Sequence, residues 1–347
     1  MFEDADPKIM RMLESYLDEA LAIHKSCVVA DGHSDFPYRA IEENANIVTG
    51  ANCSQISLDQ MAFANQRIQG AAIYTSPEYT GFSATQYALN MLGNLRKLVD
   101  ENENRLEIIT QKSQLEAFEN NETKKFGLLI WLEGVSPLAG LFSNLETFVK
   151  FGLKGAGITH NAENEAAYGC GTNKKLGLKP FGRDLIKELE NSNIVVDLAH
   201  INEAGFYDAL EISEKPVVVS HGGLREIRGD GSERLLTDEQ VKEIVEKHGL
   251  VGIDYYPWHI GRKVSEDVYT ADIDDIFAVI DHGVSLAGID FIGLGSDFDG
   301  YNDTAQGLTK VQDVVFLTAR MLKAGYDKDA ICKILSKNWL RVLNQLI

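Results

Sequence analysis

A (β/α)8, or TIM, barrel is the fold this sequence predicts, as a single domain preceded by an N-terminal helix. Three observations lead there. Short apolar runs rich in β-branched and small residues recur along the 347 residues, separated by segments whose apolar positions repeat at helical spacing, the pattern of βα units on a parallel sheet. Eight such runs favour a closed barrel over an open doubly wound sheet. No linker or composition shift divides the chain, and its length is ordinary for one barrel.

The elements follow in order. Residues 1–25 scatter Asp4, Asp6, Glu14, Asp18 and Glu19 among spaced Met and Leu. They lack the basic start and unbroken apolar run of a signal peptide and read as an amphipathic helical extension. The barrel is expected over 26–347. Its runs are Ser26–Asp35, Gly70–Pro77, Gly127–Gly134, Gly155–Asn161, Asn193–His200, Pro216–Gly222, Leu250–Tyr256 and Phe291–Asp299. Between several of them, Gln86–Leu98, Leu145–Phe151, Gly182–Glu190 and Asp238–His248 alternate apolar and charged residues as amphipathic helices do.

Composition bounds the function. With 44% hydrophobic and 24% charged residues, 30 Gly and 7 Pro, the chain is globular, and disorder, collagen and coiled coil are excluded. The formal charge of −19, with no cluster of five or more Lys and Arg, argues against nucleic-acid and anionic-membrane partners. Cys27, Cys53, Cys170 and Cys332 lie far apart without a CxxC pair and read as ordinary thiols in a reducing compartment. No stretch approaches the roughly 18 apolar residues of a membrane span, and the C-terminal tail is too polar for an anchor signal. The expectation is a cytoplasmic protein.

The ends of the runs carry the chemistry. Run one closes on Asp31-Gly-His33-Ser-Asp35, run three on Glu133, run four on His160, run five on His200, run six on His221, and run eight on Asp297-Phe-Asp299. A barrel places its active site at the C-terminal ends of its strands, so these scattered residues converge on one mouth. His33 and Asp35 are two apart and project from the same face of an extended strand, where they can share a metal. A single His at a strand end is more often a packed residue, and an HxD tripeptide alone is weak. The joint pattern is stronger. Of eight histidines, four end predicted strands, while His24, His248 and His282 fall on helices or their ends and His259 follows run seven. Glu133 comes directly after Leu128-Leu-Ile-Trp-Leu132, where a buried carboxylate is costly without a cation or donors.

Imidazoles with carboxylates suit zinc or another divalent first-row ion rather than magnesium or calcium. Two ions roughly 3.5–4 Å apart would use the whole set and generate a nucleophile at neutral pH, with Glu133 the natural bridge. Asp297 is then available to take a proton from the bridging water and hand it to a leaving amine. Asp299 is equally well read as a turn capping the next helix. Asp197 is either an orienting partner for a ligand histidine or a strand carboxylate bonded to neighbouring backbone. Tyr255, Tyr256 and Trp258 are either pocket wall or plain packing.

These motifs resemble a known family. Asp31-Gly-His-Ser-Asp35, Leu132-Glu-Gly134, Ile158-Thr-His-Asn161, Gly177-Leu-Lys-Pro-Phe-Gly182, Val196-Asp-Leu-Ala-His200, Ser220-His221 and Gly295-Ser-Asp-Phe-Asp-Gly300 are similar, in order and spacing, to the membrane (renal) dipeptidase family, peptidase family M19 of the amidohydrolase superfamily, over about residues 26–345. The resemblance implies that His33 and Asp35 hold one zinc, His200 and His221 the other, and that Glu133 bridges them. It implies that His160 contacts the substrate and polarises the tetrahedral intermediate, and that Asp297 carries the proton. Ser34 stands where that family usually has Asn, and Gly-Gly follows His221 where Ser-Ser or Ser-Asn is commoner. For the arginine that holds the substrate carboxylate, Arg225, Arg228 and Arg234 compete, with Arg234 the best match to the run into the next helix. The family's eukaryotic lipid anchor and disulfides find no counterpart.

The expected activity is therefore that of a binuclear zinc dipeptidase, with two divalent ions as cofactors and a small peptide with a free C-terminal carboxylate as substrate. An N-acyl amino acid, a lactone or another amide is the alternative substrate, and a non-catalytic barrel would have lost ligands that are all present here. A homodimer is left open as the one macromolecular partner.

Overall fold

The structure, a computed structural model, describes residues 6–53, 55–172, 175–229, 231–266 and 268–347. Residues 1–5 of the expected N-terminal extension, Asp4 among them, lie outside the described residues. The strands are β1 (Val29–Asp31), β2 (Gln66–Tyr74), β3 (Leu106–Ile108), β4 (Phe126–Glu133), β5 (Leu153–Gly157), β6 (Val195–Asp197), β7 (Val218–Gly222), β8 (Leu250–Ile253), β9 (Arg262–Ser265), β10 (Val268–Thr270) and β11 (Ile292–Leu294). Among the described residues, eight pair in parallel in the order β1, β2, β4, β5, β6, β7, β8, β11 and close back on β1. The eight apolar runs are these eight strands, and the fold is a (β/α)8 barrel.

The sequence reading missed two features. β3 pairs with the first residues of β4 outside the ring, and β9 and β10 form an antiparallel hairpin. β3 is three residues long and the hairpin is largely exposed, so neither has the burial that leaves a hydrophobic signature.

Strand alternation sorts the core into two layers. Leu128, Ile130 and Leu132 of β4 join the large cluster shared with the surrounding helices. Leu129 and Trp131 join the barrel interior with Ile68, Val195, Val218 and Leu250. With a period of two, Glu133 continues the inward face of Leu129 and Trp131 and emerges at the mouth. Beneath the mouth, Trp131 and Trp339 meet edge to face at 6.3 Å between ring centroids. Their space is made by glycine: a Cβ on Gly155 would lie 2.3 Å from the Trp131 ring, and one on Gly32 2.1 Å from Trp339.

Two buried aspartates join this apolar layer to the mouth. Asp197 accepts from Trp131 Nε1 (2.8 Å), Ala199 N (3.0 Å) and Ser220 N (2.9 Å). It is bonded to backbone rather than orienting a histidine, the second of its two readings. Asp31 likewise accepts from His33 N (3.0 Å) and Ser296 N (3.1 Å). Each carboxylate thus ties two strand ends together just before a candidate ligand.

The helix Pro7–Ser26 starts on Asp6, whose side chain accepts from Lys8 N and Ile9 N, and buries Ile9, Leu13, Leu17, Ala20 and Ile23 at helical spacing. It packs on the helix Val314–Lys323. His24 fastens the contact, donating from Nδ1 to Ala64 O (2.6 Å) and accepting at Nε2 from the Thr318 hydroxyl (2.8 Å). Burial pushes its imidazole down to about 4, so it is neutral near pH 7. No helix among the described residues is long and apolar enough to cross a membrane, and all four cysteines are free.

Candidate metal centre and substrate pocket

Glu133 Oε1 is the hub of the mouth. His200 Nε2 lies 3.3 Å from it, His33 Nε2 3.6 Å, His221 Nε2 3.8 Å and His160 Nε2 3.9 Å. His33 Nε2 is also 3.6 Å from Asp35 Oδ2 and 4.0 Å from Asp297 Oδ1. The structure therefore brings together His33, Asp35, Glu133, His160, His200, His221 and Asp297, contributed by the ends of six strands. β1 stops at Asp31, and His33 and Asp35 lie beyond it. The parallel bridge between Ser34 and Phe298 keeps the backbone extended there, so the two side chains still share a face.

Backbone geometry is unusual where the chemistry is dense. His200 (φ 64°), Asp297 (φ 58°) and Asp299 (φ 68°) all occupy the left-handed region, at a cost of order 1–3 kcal/mol each for residues that are not glycine. Asp299 caps no helix among the described residues. It is buried on the pocket wall, its N–H donating to Gln55 Oε1 (2.5 Å) and its carbonyl accepting from Arg39 Nε (2.7 Å).

The electrostatics reflect crowding. Burial pushes His200 and His221 well below the usual imidazole range, and Arg234 adds to the effect on both. Burial and Arg234 hold His160 down to about 4. Burial would also lower His33, but the Glu133 and Asp35 carboxylates override it and raise that ring well above its usual value. Burial and the neighbouring Asp35 push the Asp297 carboxyl well up.

This donor set fits divalent cations. Both ring nitrogens of His33 and Asp35 Oδ1 are buried with no hydrogen-bond partner among the described residues, an arrangement that is costly unless a cation answers it. Three overlapping groups, His33 with Glu133 and His221, Glu133 with His160 and His200, and His33 with Asp35 and Asp297, each have ligand atoms within 4.8 Å of one another.

Above the cluster opens a pocket of about 850 Å³ that takes in Tyr74, His160, Arg234, Tyr256, Trp258 and Asp297. Of the three competing arginines only Arg234 lines it. Its Nη2 lies 3.1 Å from His200 Nε2 and 3.2 Å from His221 O. Arg228 stacks on Trp258 and Tyr269 (4.4 and 4.0 Å to the ring centroids), and Arg225 donates to Leu235 O and faces Glu203. Tyr256 and Trp258 are pocket wall, whereas Tyr255 is fully buried against Phe298. Sequence reasoning gave no role to Tyr74, which ends β2 with its ring 4.9 Å from His160. It also missed His259, which lines the pocket with Nδ1 2.5 Å from buried Asp254. Their position at or just after a strand end was the available signal.

Comparison with known proteins settles the kinship. The pattern of the membrane dipeptidase family (peptidase family M19) matches residues 17–346. The chain belongs to that family. A dipeptidase, tcpJ, of Claviceps purpurea is 29% identical over 225 residues, covering 64% of this chain and 51% of its own length, so the similarity spans about half of that relative. Among solved structures, a dipeptidase of family M19 is 26% identical with a TM-score of 0.84, covering 92% of this chain and 99% of its own. A metallopeptidase from Rhodobacter sphaeroides, solved with a phosphinate mimic of the dipeptide L-Ala-D-Ala, has a TM-score of 0.86 at 24% identity over 93% of this chain and 100% of its own, and shares the barrel.

Proposed function

We propose that this M19 chain is a binuclear metal-dependent dipeptidase that cleaves the peptide bond of dipeptides with a free C-terminal carboxylate. The observation that carries the reading is the single oxygen of Glu133 with four imidazoles within 4.0 Å, beneath a pocket walled by Arg234. In this reading His33 and Asp35 hold one ion, His200 and His221 the other, and Glu133 serves both. The imidazole and carboxylate set favours zinc. Bound there, the ions would supply Lewis acidity and lower the pKa of water so that hydroxide attacks at neutral pH.

The remaining roles belong to the chain. Arg234 receives the substrate carboxylate through its forked donors. His160, on the pocket side of Glu133, faces the carbonyl oxygen as it gains charge. Asp297 accepts the proton of the attacking water and returns it to the amine nitrogen as the C–N bond breaks, leaving two free amino acids. The pocket volume stands in the upper part of the ~300–1,000 Å³ range of small-molecule sites and keeps the second reading, hydrolysis of an N-acyl amino acid, a lactone or another amide, worth testing.

The test is a hydrolysis screen of zinc-reconstituted protein against a dipeptide library, including L,D pairs, their C-terminal amides, N-acyl amino acids and lactones. The proposal expects turnover of free-carboxylate dipeptides that a chelator abolishes. Turnover confined to acylated or lactone substrates would replace it with the second reading.

A further inference from the structure

Asn161 follows His160 just beyond β5 and has no part in the reading above. Its side-chain oxygen lies 2.7 Å from His200 Nδ1 and 3.1 Å from the Cys170 sulfur, whose thiol donates to it. The intervening loop is pinned to the same place. Gly171 N donates to Asn161 O (2.9 Å) and Cys170 N to His200 O (2.7 Å). A Cβ on Gly169 would stand 2.1 Å from His160 O, so this close approach requires glycine.

A neighbour without choice decides the tautomer of His200. Arg234 Nη2 lies 3.1 Å from His200 Nε2, and a guanidinium only donates. His200 Nε2 therefore carries the lone pair and the ring proton sits on Nδ1. The group facing Nδ1 must accept, which fixes the Asn161 amide with its oxygen toward the ring. The thiol aimed at the same oxygen agrees. The Nε2 lone pair then faces Glu133 Oε1 at 3.3 Å, a contact of two acceptors that a cation between them would relieve.

The other histidines are held differently. His221 Nδ1 meets Ser220 Oγ at 3.0 Å, where a hydroxyl donates or accepts with equal ease. Its Nε2 lies 2.8 Å from His200 Nε2 and donates to that lone pair in the metal-free protein, so no acceptor behind the ring turns the His221 lone pair toward the metal site. His33 Nδ1 has no partner among the described residues. We infer that Asn161 is a positioning residue that locks His200 with its lone pair toward the metal site, so that the ion served by His200 depends on Asn161 and the other does not. This rests on the metal reading above.

Two measurements test it. In metal-free protein, long-range 1H–15N spectra of the imidazoles should place the His200 proton on Nδ1 in wild type and in Asn161→Asp, which keeps an acceptor, and should show a mixture in Asn161→Leu. In stepwise zinc titration against a chromophoric chelator, Asn161→Leu should weaken one of two ions by about 10–100-fold, the usual scale for losing such a partner, leave the other near wild type, and recover in Asn161→Asp. Wild-type affinity for both ions in Asn161→Leu would overturn the inference. So would an equal loss of both ions with a lowered melting temperature of the metal-free variant, which would make Asn161 a folding residue only. Wild-type protein that binds no ion would sink the metal reading and this inference together, and is distinguishable from either.

Discussion

Just below the mouth, Trp131 and Trp339 fill the barrel interior, and each indole N–H has a partner, Asp197 Oδ2 and Leu294 O, both at 2.8 Å. Directly above, four imidazoles crowd one carboxylate oxygen, three residues other than glycine sit at positive φ, and buried ring nitrogens have no hydrogen-bond partner among the described residues. The lower layer is built as a stable core is built. The upper one keeps like charges and unanswered polar atoms together, which a fold tolerates where function requires it and the rest of the structure offsets the strain. Substitutions below should therefore change stability, and substitutions above should change chemistry.

The largest effect is expected below. Trp131→Ala removes a fully buried indole and should lower the unfolding free energy by about 3–5 kcal/mol, read by denaturant titration, with turnover per folded molecule far less affected. A loss under 1 kcal/mol would mean that the interior is not the tightly packed layer described.

Next comes Asp297→Asn at the mouth. The amide keeps the shape but cannot take a proton, so kcat should fall about 10²-fold or more, the scale of losing a general acid or base, with metal content and melting temperature near wild type. Loss of metal would make Asp297 a ligand, and nearly full turnover would pass its role to Asp299 or His160.

Arg234→Ala should raise KM for free-carboxylate dipeptides by about 10–100-fold, corresponding to about 1.5–3 kcal/mol for a hydrogen bond to a charged group, and should scarcely change KM for C-terminal amides. The same pattern from Arg228→Ala, which stacks on Trp258 and Tyr269 instead, would show that the carboxylate is held elsewhere.

The smallest effect lies far from the mouth, in His24. Burial holds its folded-state imidazole down to about 4 against an ordinary 6.5, so the folded form binds fewer protons than the unfolded one. Its stabilisation is complete above about pH 6.5 and is lost as pH falls toward 4. Between pH 7 and 5.5 this amounts to about 1 kcal/mol by proton linkage, visible as a steeper acid loss of stability in wild type than in His24→Gln. Parallel pH profiles for the two proteins would contradict it.

Legibility in the sequence follows the same division. The strands were readable because parallel barrel strands are buried on both faces and stay apolar, and the ligands because a carboxylate or imidazole ending such a run is conspicuous. In the sequence Asp31 stands out only as part of a motif, and Asp197 fits two roles equally well. Their work is to accept N–H groups from strands more than twenty residues away, a relation the local sequence does not carry. Arg234 could not be told from Arg225 and Arg228 by spacing, because the choice depends on which side chain turns into the pocket and which onto aromatic rings. Tyr74, Asn161 and His259 escaped for a related reason: Tyr and Asn at strand ends are ordinary, and only their partners, His160, His200 and Asp254, mark them.

The most direct test of the central claim counts divalent ions per chain in purified wild type and in Glu133→Gln, with dipeptide turnover measured on the same samples before and after chelation. The account predicts two ions per wild-type chain, turnover that disappears with chelator and returns on adding zinc, and lowered occupancy as well as rate in Glu133→Gln, because that change removes the charge facing all four imidazoles. Wild-type protein that hydrolyses dipeptides while holding no metal, or a Glu133→Gln variant with full occupancy and full rate, would contradict it.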